Sequence, residues 1–377
     1  MNSKERMLIA IKNGEPDMVP VAPDISCMIP CRLTKKPFWD VGLYHNPPLW
    51  KAYLDALAYF KFDGWFLYGM NGIVFEERFP IRWNKEERKE NDRIFVNYSA
   101  DTPAGPLDYQ ETHYCDNPPA LTRKLIKDLD KDFPKLQCLY VPPLSCNGEG
   151  LEQMRKELGD SGVLGVGIFY PGFSEWTSYF EGSLESVTYA YYDNRDKLHE
   201  LYELQHKRTI KMTEMILELK PDFILTGSSG TLTLGSPALF REFGLKTLKE
   251  ITTLAKQAGI PTMLHSCGKE RALVEICANE TDLNCINPLE IPNMGDCNLA
   301  EIKKTFGKKL ALMGNLHTTE IMLRGTPDDV EREAKKAIDE AGQGGGFILS
   351  TGDQCGTNTP DENIFKMIDV ARTYGKY

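Results

Sequence analysis

Eight short apolar runs alternating with amphipathic helical stretches predict a closed (β/α)8 TIM barrel, an α/β fold, with an insertion after its second strand. No GxGxxG follows the first run, which removes the main argument for the competing open doubly wound sheet. At 377 residues the chain is long enough for one large barrel spanning 1–377.

The runs are Val19 to Ser26, Asp63 to Tyr68, Val163 to Tyr170, Asp222 to Thr226, Pro261 to His265, Leu283 to Leu289, Leu310 to Leu316 and Gly346 to Ser350. Each is bounded by Pro, Gly or Asp, as buried parallel strands are. Helical spacing marks Leu184 to Leu219, Pro237 to Ala258, Glu270 to Asn279, Leu299 to Phe306 and Pro327 to Ala341. Ser236–Pro237 supplies an N-cap and a first-turn proline. Thr326–Pro327 repeats the device, and Asp328 and Asp329 follow where the helix dipole favours negative charge. Met1 to Gly14 reads as an amphipathic helix and not as a secretion signal. Residues 75–162 interrupt the repeat; "RIFVNYSADTPAGPLDYQETHYC" alternates like a hairpin, and the insertion is expected as a cap or flap near the barrel mouth.

A hydrophobic fraction of 41% and a charged fraction of 26% are ordinary for a globular protein. No run approaches the roughly 20 apolar residues that span a bilayer, so a cytoplasmic location is expected. The formal charge of −10 argues against nucleic acid and anionic membrane as partners. Ten cysteines in such a chain are read as small buried hydrophobes with a few ligands among them, not as a disulfide framework.

Active sites of such barrels lie at the C-terminal ends of the strands. His265 and Cys267 stand after the fifth run in "LHSCG", Cys355 follows the eighth in "STGDQCG", and Glu290 closes the sixth. A His-x-Cys pair with one remote thiolate makes the two-sulfur, one-nitrogen set typical of Zn2+, with a fourth position left for substrate, water or a displaceable carboxylate. Glu290 is the candidate for that carboxylate and Asp353 the alternative. Ser266, Gly268 and Thr351 are placed to support the thiolates by hydrogen bonds.

Other residues at strand ends have both a chemical and a structural reading. His317 and Asn315 are candidates for an acid and a substrate or cofactor contact, or for structural roles. Tyr170 is a further catalytic candidate, and Asp24 either touches substrate or caps a helix. Gly227 and Ser228, in "GSSG", could approach a cofactor or form a tight turn. Aromatic residues crowd the expected mouth: Phe66, Tyr68, Phe169, Tyr170, Phe173, Trp176, Tyr179 and Phe180. They read either as the lining for an apolar or aromatic substrate or as core.

Over nearly its full length the chain resembles the uroporphyrinogen decarboxylase superfamily, and within it the corrinoid-dependent methyltransferase branch. The matching segments are "RMLIAIKNGEPDMVPVAP", "PDFILTGSSGTLTLGSPALFREFGLKTLKEI", "IPTMLHSCG", "LALMGNLHTTEIMLRGTPDDVEREAKKAI" and "TPDENIFKMIDVAR". In that branch zinc sits on a His-x-Cys and a distant Cys, positions that His265, Cys267 and Cys355 match. The resemblance implies a zinc-dependent methyltransferase that moves a methyl group from a small methoxylated donor, aromatic or not, to the cobalt of a partner corrinoid protein. Its neighbours are methylcobamide:thiol methyl transfer, a decarboxylase-like activity, and a barrel that binds a corrinoid or small ligand without turnover. The stretch "DISCMIPCRLTKKPFW" holds Arg32 as its one arginine, where decarboxylases carry an arginine-rich motif for tetrapyrrole carboxylates.

Overall fold

The computed structural model describes residues 1–68 and 72–377; the side chains of Phe66 and Tyr68, assigned above to the mouth, lie outside the description. In chain order the strands are β1 (Gly64–Tyr68), β2 (Val74–Glu76), β3 (Asn84–Glu90), β4 (Arg93–Thr102), β5 (Gly105–Tyr114), β6 (Ala120–Arg123), β7 (Ser145–Asn147) and β8 (Gly162–Gly167). They continue with β9 (Phe223–Gly227), β10 (Thr262–His265), β11 (Cys285–Asn287), β12 (Ala311–Leu316) and β13 (Phe347–Thr351). β1, β8, β9, β10, β11, β12 and β13 form one parallel sheet in that order.

The first expected strand, Val19 to Ser26, is reduced to a bridge. Val21 pairs with Leu349 in parallel, Ala22 N–H donates to the Leu349 carbonyl at 2.9 Å, and Asp63 N–H donates to the Val21 carbonyl at 2.8 Å. This segment therefore fills the seam between β13 and β1 and completes the eightfold (β/α) barrel. Its strand pairing is broken by Pro20 and Pro23, which have no N–H to give. Asp63 holds the seam: its buried carboxylate accepts from Val21 N–H at 2.9 Å and pairs with Arg6 and Arg372, each at 3.0 Å.

Alternation along each strand sorts the side chains. Trp65, Val163, Phe223, Met263, Cys285, Met313 and Ile348 point into the barrel, where the helix Ser3–Ile11 adds Met7, Ala10 and Ile11 as a plug. Leu164, Ile224, Leu264, Ile286, Leu312 and Leu349 face the surrounding helices. The N-caps predicted at Ser236 and Thr326 are present, Thr326 as a full capping box with Asp329. Two long helical stretches each break in two: Asn194 separates Ser183–Asp193 from Arg195–Glu218, and Gly244 separates Pro237–Phe243 from Leu245–Gln257.

Between β1 and β8 the expected hairpin is β4–β5, extended by β3 and β6 into a four-stranded antiparallel sheet. It packs through Ile94 and Val96 on Trp39 and Leu43, beside the helix Phe38–Gly42. No helix among the described residues is long and apolar enough to cross a membrane.

Removing the Asp63 carboxylate leaves the buried Arg6 with Asp17 as its remaining acidic partner, takes the Asp63 pairing from Arg372, and unties the seam. Asp63→Ala is expected to lower the free energy of unfolding in urea by about 3–5 kcal/mol; a loss below about 1 kcal/mol would remove Asp63 from this role.

Candidate active site

The inward column of β10 runs from Met263 to His265, so the imidazole tops the barrel interior. Register sets it beside Gly227 on one flank and Asn287 on the other. Gly227 has φ 127°, and a Cβ there would lie 2.0 Å from the His265 carbonyl oxygen. Its glycine is therefore required by the approach of β10, which accounts for it without a cofactor. Burial lowers the His265 pKa, and this is opposed by the charge of Asp353 and by Asn287. A neutral imidazole is the metal-binding form.

Two residues beyond the strand, Cys267 meets the loops after β11 and β13. Among the described residues, the groups whose ligand atoms all lie within 4.8 Å of one another are Cys267, Glu290 and Asp353. Glu290 is buried; one carboxylate oxygen accepts from Gly268 N–H, and the other, Oε1, has no hydrogen-bond partner. Burial pushes its carboxyl up to about 7 and the Cys267 thiol up to about 11, with Asp353 adding to both. Of the two carboxylates considered as the displaceable ligand, both are thus at the site.

His265 and Cys355 flank this set and do not fall within the same 4.8 Å group. Cys355 is fully buried two residues from Asp353, its N–H donating to the Asp24 carbonyl at 2.7 Å. Burial, then Asp24, pushes its thiol up to about 12. Asp24, also buried, accepts from the Ser26 hydroxyl, and burial pushes its carboxyl up to about 7. The charge of Asp353 is felt by Asp24, His265, Cys267, Glu290 and Cys355 alike, which makes it the electrostatic centre of the mouth.

Beside this group opens a cavity of about 490 Å³ whose walls include Asp24, Glu175, Ser228, His265, Asp353 and Gln354. Among the described residues its walls are less aromatic than the mouth expected from the sequence. Phe173, Trp176 and Phe180 are buried with Phe133, Tyr202 and Phe243 in a separate apolar cluster, against which Tyr179 packs. Tyr170 is buried in the main core, its hydroxyl hydrogen-bonded to Thr231 at 2.8 Å. Phe169 alone of these described aromatics lines the cavity.

The other candidates divide. Ser228 lines the cavity. His317 instead caps the turn Thr318–Leu323: its Nδ1 accepts from Thr319 and Glu320 N–H, both at 3.2 Å. Asn315 donates to the Leu289 carbonyl at 3.0 Å, and Asn315 and His317 line a different cavity of about 250 Å³. Ser266 Oγ donates to the Ser228 carbonyl and Thr351 Oγ1 to that of Asp353, each at 2.8 Å, so both support the loops that carry the site. Sequence reasoning missed Glu175, Ser174 and Asn287. Glu175 stands inside "FSEWTSYF", where the aromatic neighbours dominate the pattern.

Fold and mouth together define a (β/α)8 barrel with an imidazole, thiols and carboxylates gathered at the C-terminal ends of its strands. The family model described as "Uroporphyrinogen decarboxylase (URO-D)" matches residues 114–374, well over half of the chain, and the chain belongs to that family. The methylcobamide:CoM methyltransferase MtbA of Methanosarcina mazei is 30% identical over 36% of this chain and 37% of its own length. MtaA of Methanosarcina barkeri, of the same description, is 27% identical over 48% of this chain and 50% of its own. The chain therefore spans half or less of these curated relatives' length. A uroporphyrinogen decarboxylase from Vesicomyosocius okutanii is 24% identical over 67% of this chain and 72% of its own. A solved methyltransferase from Methanosarcina mazei shares the fold, with a TM-score of 0.67 over 99% of both chains at 17% identity.

The raised Glu290 pKa fixes the sign of a pH effect. In the metal-free protein the protonated carboxyl is the form that folding favours, so its contribution is present below about 4.5 and is lost as pH rises through about 7. The stability of the metal-free parent relative to Glu290→Gln is expected to fall across that window in paired urea titrations. A difference that stays level or grows with pH would contradict the burial of this carboxyl.

Proposed function

We propose that this chain is a zinc-dependent methyltransferase that exchanges a methyl group between a small molecule and the cobalt of a partner corrinoid protein. The observation that carries the reading is the group Cys267, Glu290 and Asp353 within 4.8 Å, with Glu290 Oε1 unpartnered and buried. Three acidic groups so close cannot all ionise without a compensating cation. The donor set fits zinc: sulfur and imidazole suit a borderline-soft ion, and a hard oxygen-seeking cation would not choose Cys267.

His265, Cys267 and Cys355 would hold the ion, with Glu290 as the carboxylate that yields to substrate. Zinc in such a site supplies Lewis acidity toward an ether oxygen or stabilises a bound thiolate. The residues of the chain do the rest. Burial keeps His265 neutral, with a lone pair to offer. Gly268 N–H fixes Glu290 through one oxygen and leaves Oε1 for the site. Gly227 brings β10 close enough to β9 to set the imidazole's height. The chamber, lined by both polar and apolar side chains, takes the small molecule, and the open mouth faces the corrinoid partner.

For the direction of transfer, a methoxylated donor and a thiol acceptor both fit this chemistry, and the names of the relatives favour the corrinoid in either case. Phe169 is the one expected aromatic that lines the chamber among the described residues, so the reading takes a small methoxylated donor without requiring an aromatic ring. Decarboxylation of a polycarboxylate is poorly served, because Arg32 is spent on the Thr357 and Thr359 carbonyls and on Asp361.

Cys267→Ala is expected to reduce bound zinc from about one equivalent to less than about a tenth, and methyl transfer with it, while the far-ultraviolet circular dichroism spectrum is kept. Metal analysis and a cob(I)alamin methylation assay read the two losses. Full transfer by a stringently zinc-free preparation would end the proposal.

A further inference from the structure

Beside His265 stands an amide with half of its hydrogen-bonding capacity open. Asn287 ends β11 directly opposite His265 in the register of β10 and β11. Two residues after the inward Cys285, its side chain also turns to the barrel interior, and the residue is only 2% exposed. Its backbone carbonyl is taken by Ser266 N–H at 3.0 Å. Its Nδ2 lies 3.9 Å from Met313 Sδ, on the inward face of β12. A thioether can only accept, so the NH2 half of the amide belongs on that side. The other half, Oδ1, is buried and has no hydrogen-bond partner among the described residues.

A buried amide oxygen without a donor is destabilising, so its place in the core calls for a physical reason. The donor at hand is the imidazole. Burial lowers the His265 pKa; against it Asp353 acts through its charge and Asn287 through hydrogen bonding, in the direction an acceptor gives. The approach is close but not aligned, so no regular hydrogen bond forms. On its other flank His265 meets Gly227, which has no side chain to offer. An imidazole that gives one ring nitrogen to a metal keeps a single N–H on the other, and a carbonyl oxygen is a common receiver of it.

We infer that Asn287 is the positioning residue of His265: its Oδ1 receives the N–H of the ring nitrogen that the metal leaves free, holding the imidazole in one tautomer and one orientation. The inference rests on the zinc reading above for the identity of what the other nitrogen meets. It gives Asn287 a role that neither chamber lining nor strand pairing requires. Placed on the strand beside the ligand, the amide is held by the sheet itself and turns with no loop.

Competition with a chromophoric chelator measures zinc affinity in the full chain, its Asn287→Leu variant and its Asn287→Asp variant, each checked by thermal melt. Leucine has a similar branched shape and no acceptor, whereas aspartate keeps an oxygen in the same place. Asn287→Leu is expected to weaken zinc binding about 10–100-fold, and Asn287→Asp to stay nearer the parent. A folded leucine variant that holds zinc as the parent does overturns the assignment, and so does equal weakening by both variants, which marks a packing role. Nitrogen-15 spectra of the metal-free chain labelled at histidine read the ring without zinc, the His265 signals being assigned from a His265→Gln spectrum. The parent is expected to show one neutral tautomer and Asn287→Leu a mixture. Two tautomers in the parent, or identical populations in both proteins, would overturn the assignment whatever the other variants do. An Asn287-dependent tautomer in a chain that binds no zinc keeps Asn287 and ends the zinc reading, while zinc bound equally by all three with unchanged tautomers does the reverse.

Discussion

Acids crowded at a partly buried mouth are the constraint on which this end of the barrel depends. Cys267, Glu290 and Asp353 crowd within 4.8 Å, and the charge of Asp353 reaches His265, Cys355 and Asp24 as well. In an interior of low dielectric such groups either keep their protons or share a cation. The raised carboxyl of Glu290 and the raised thiol of Cys267 are the first outcome, and metal binding would be the second. The same groups that make the protonated site tolerable make it a good trap for a divalent ion.

The barrel supplies the convergence. Residues remote in sequence meet because each closes a strand or follows one, and because every strand points its C-terminal end to the same side. Closure is the weak point of this arrangement, since the first strand contributes a bridge where the others contribute ladders. Asp63 compensates with two arginines and a backbone hydrogen bond, so an ion network stands where Pro20 and Pro23 forbid regular pairing. The plug of Met7, Ala10 and Ile11 shuts the opposite end, leaving the mouth as the accessible face of the interior.

The fold was readable because its signal is repeated. Seven of the expected strands appear within a few residues of their predicted positions, and a run such as Val163 to Gly167 is buried at every position, as a parallel strand covered on both faces must be. The prolines of the first strand were visible, yet their effect on pairing depends on which neighbours offer carbonyls. The site was legible in part: strand ends picked out His265, Cys267, Glu290 and Asp353. Aromatic residues misled, because a side chain two or three positions past a strand end can turn into the mouth or fold back, and spacing alone does not decide. Trp176 folds back to donate to Gln205 at 2.7 Å, while its neighbour Glu175 turns inward. His317 shows the same limit, since a histidine at an N-cap and a histidine at an active site share one sequence pattern.

Zinc-edge X-ray absorption of the full chain bears most directly on the centre. The account predicts a mixed first shell with two sulfurs at about 2.3 Å and one imidazole nitrogen at about 2.0 Å, completed by a single oxygen. A shell with one sulfur or none would contradict it, because Cys355 would then stand outside the metal's reach and the mouth would be a carboxylate site of another kind.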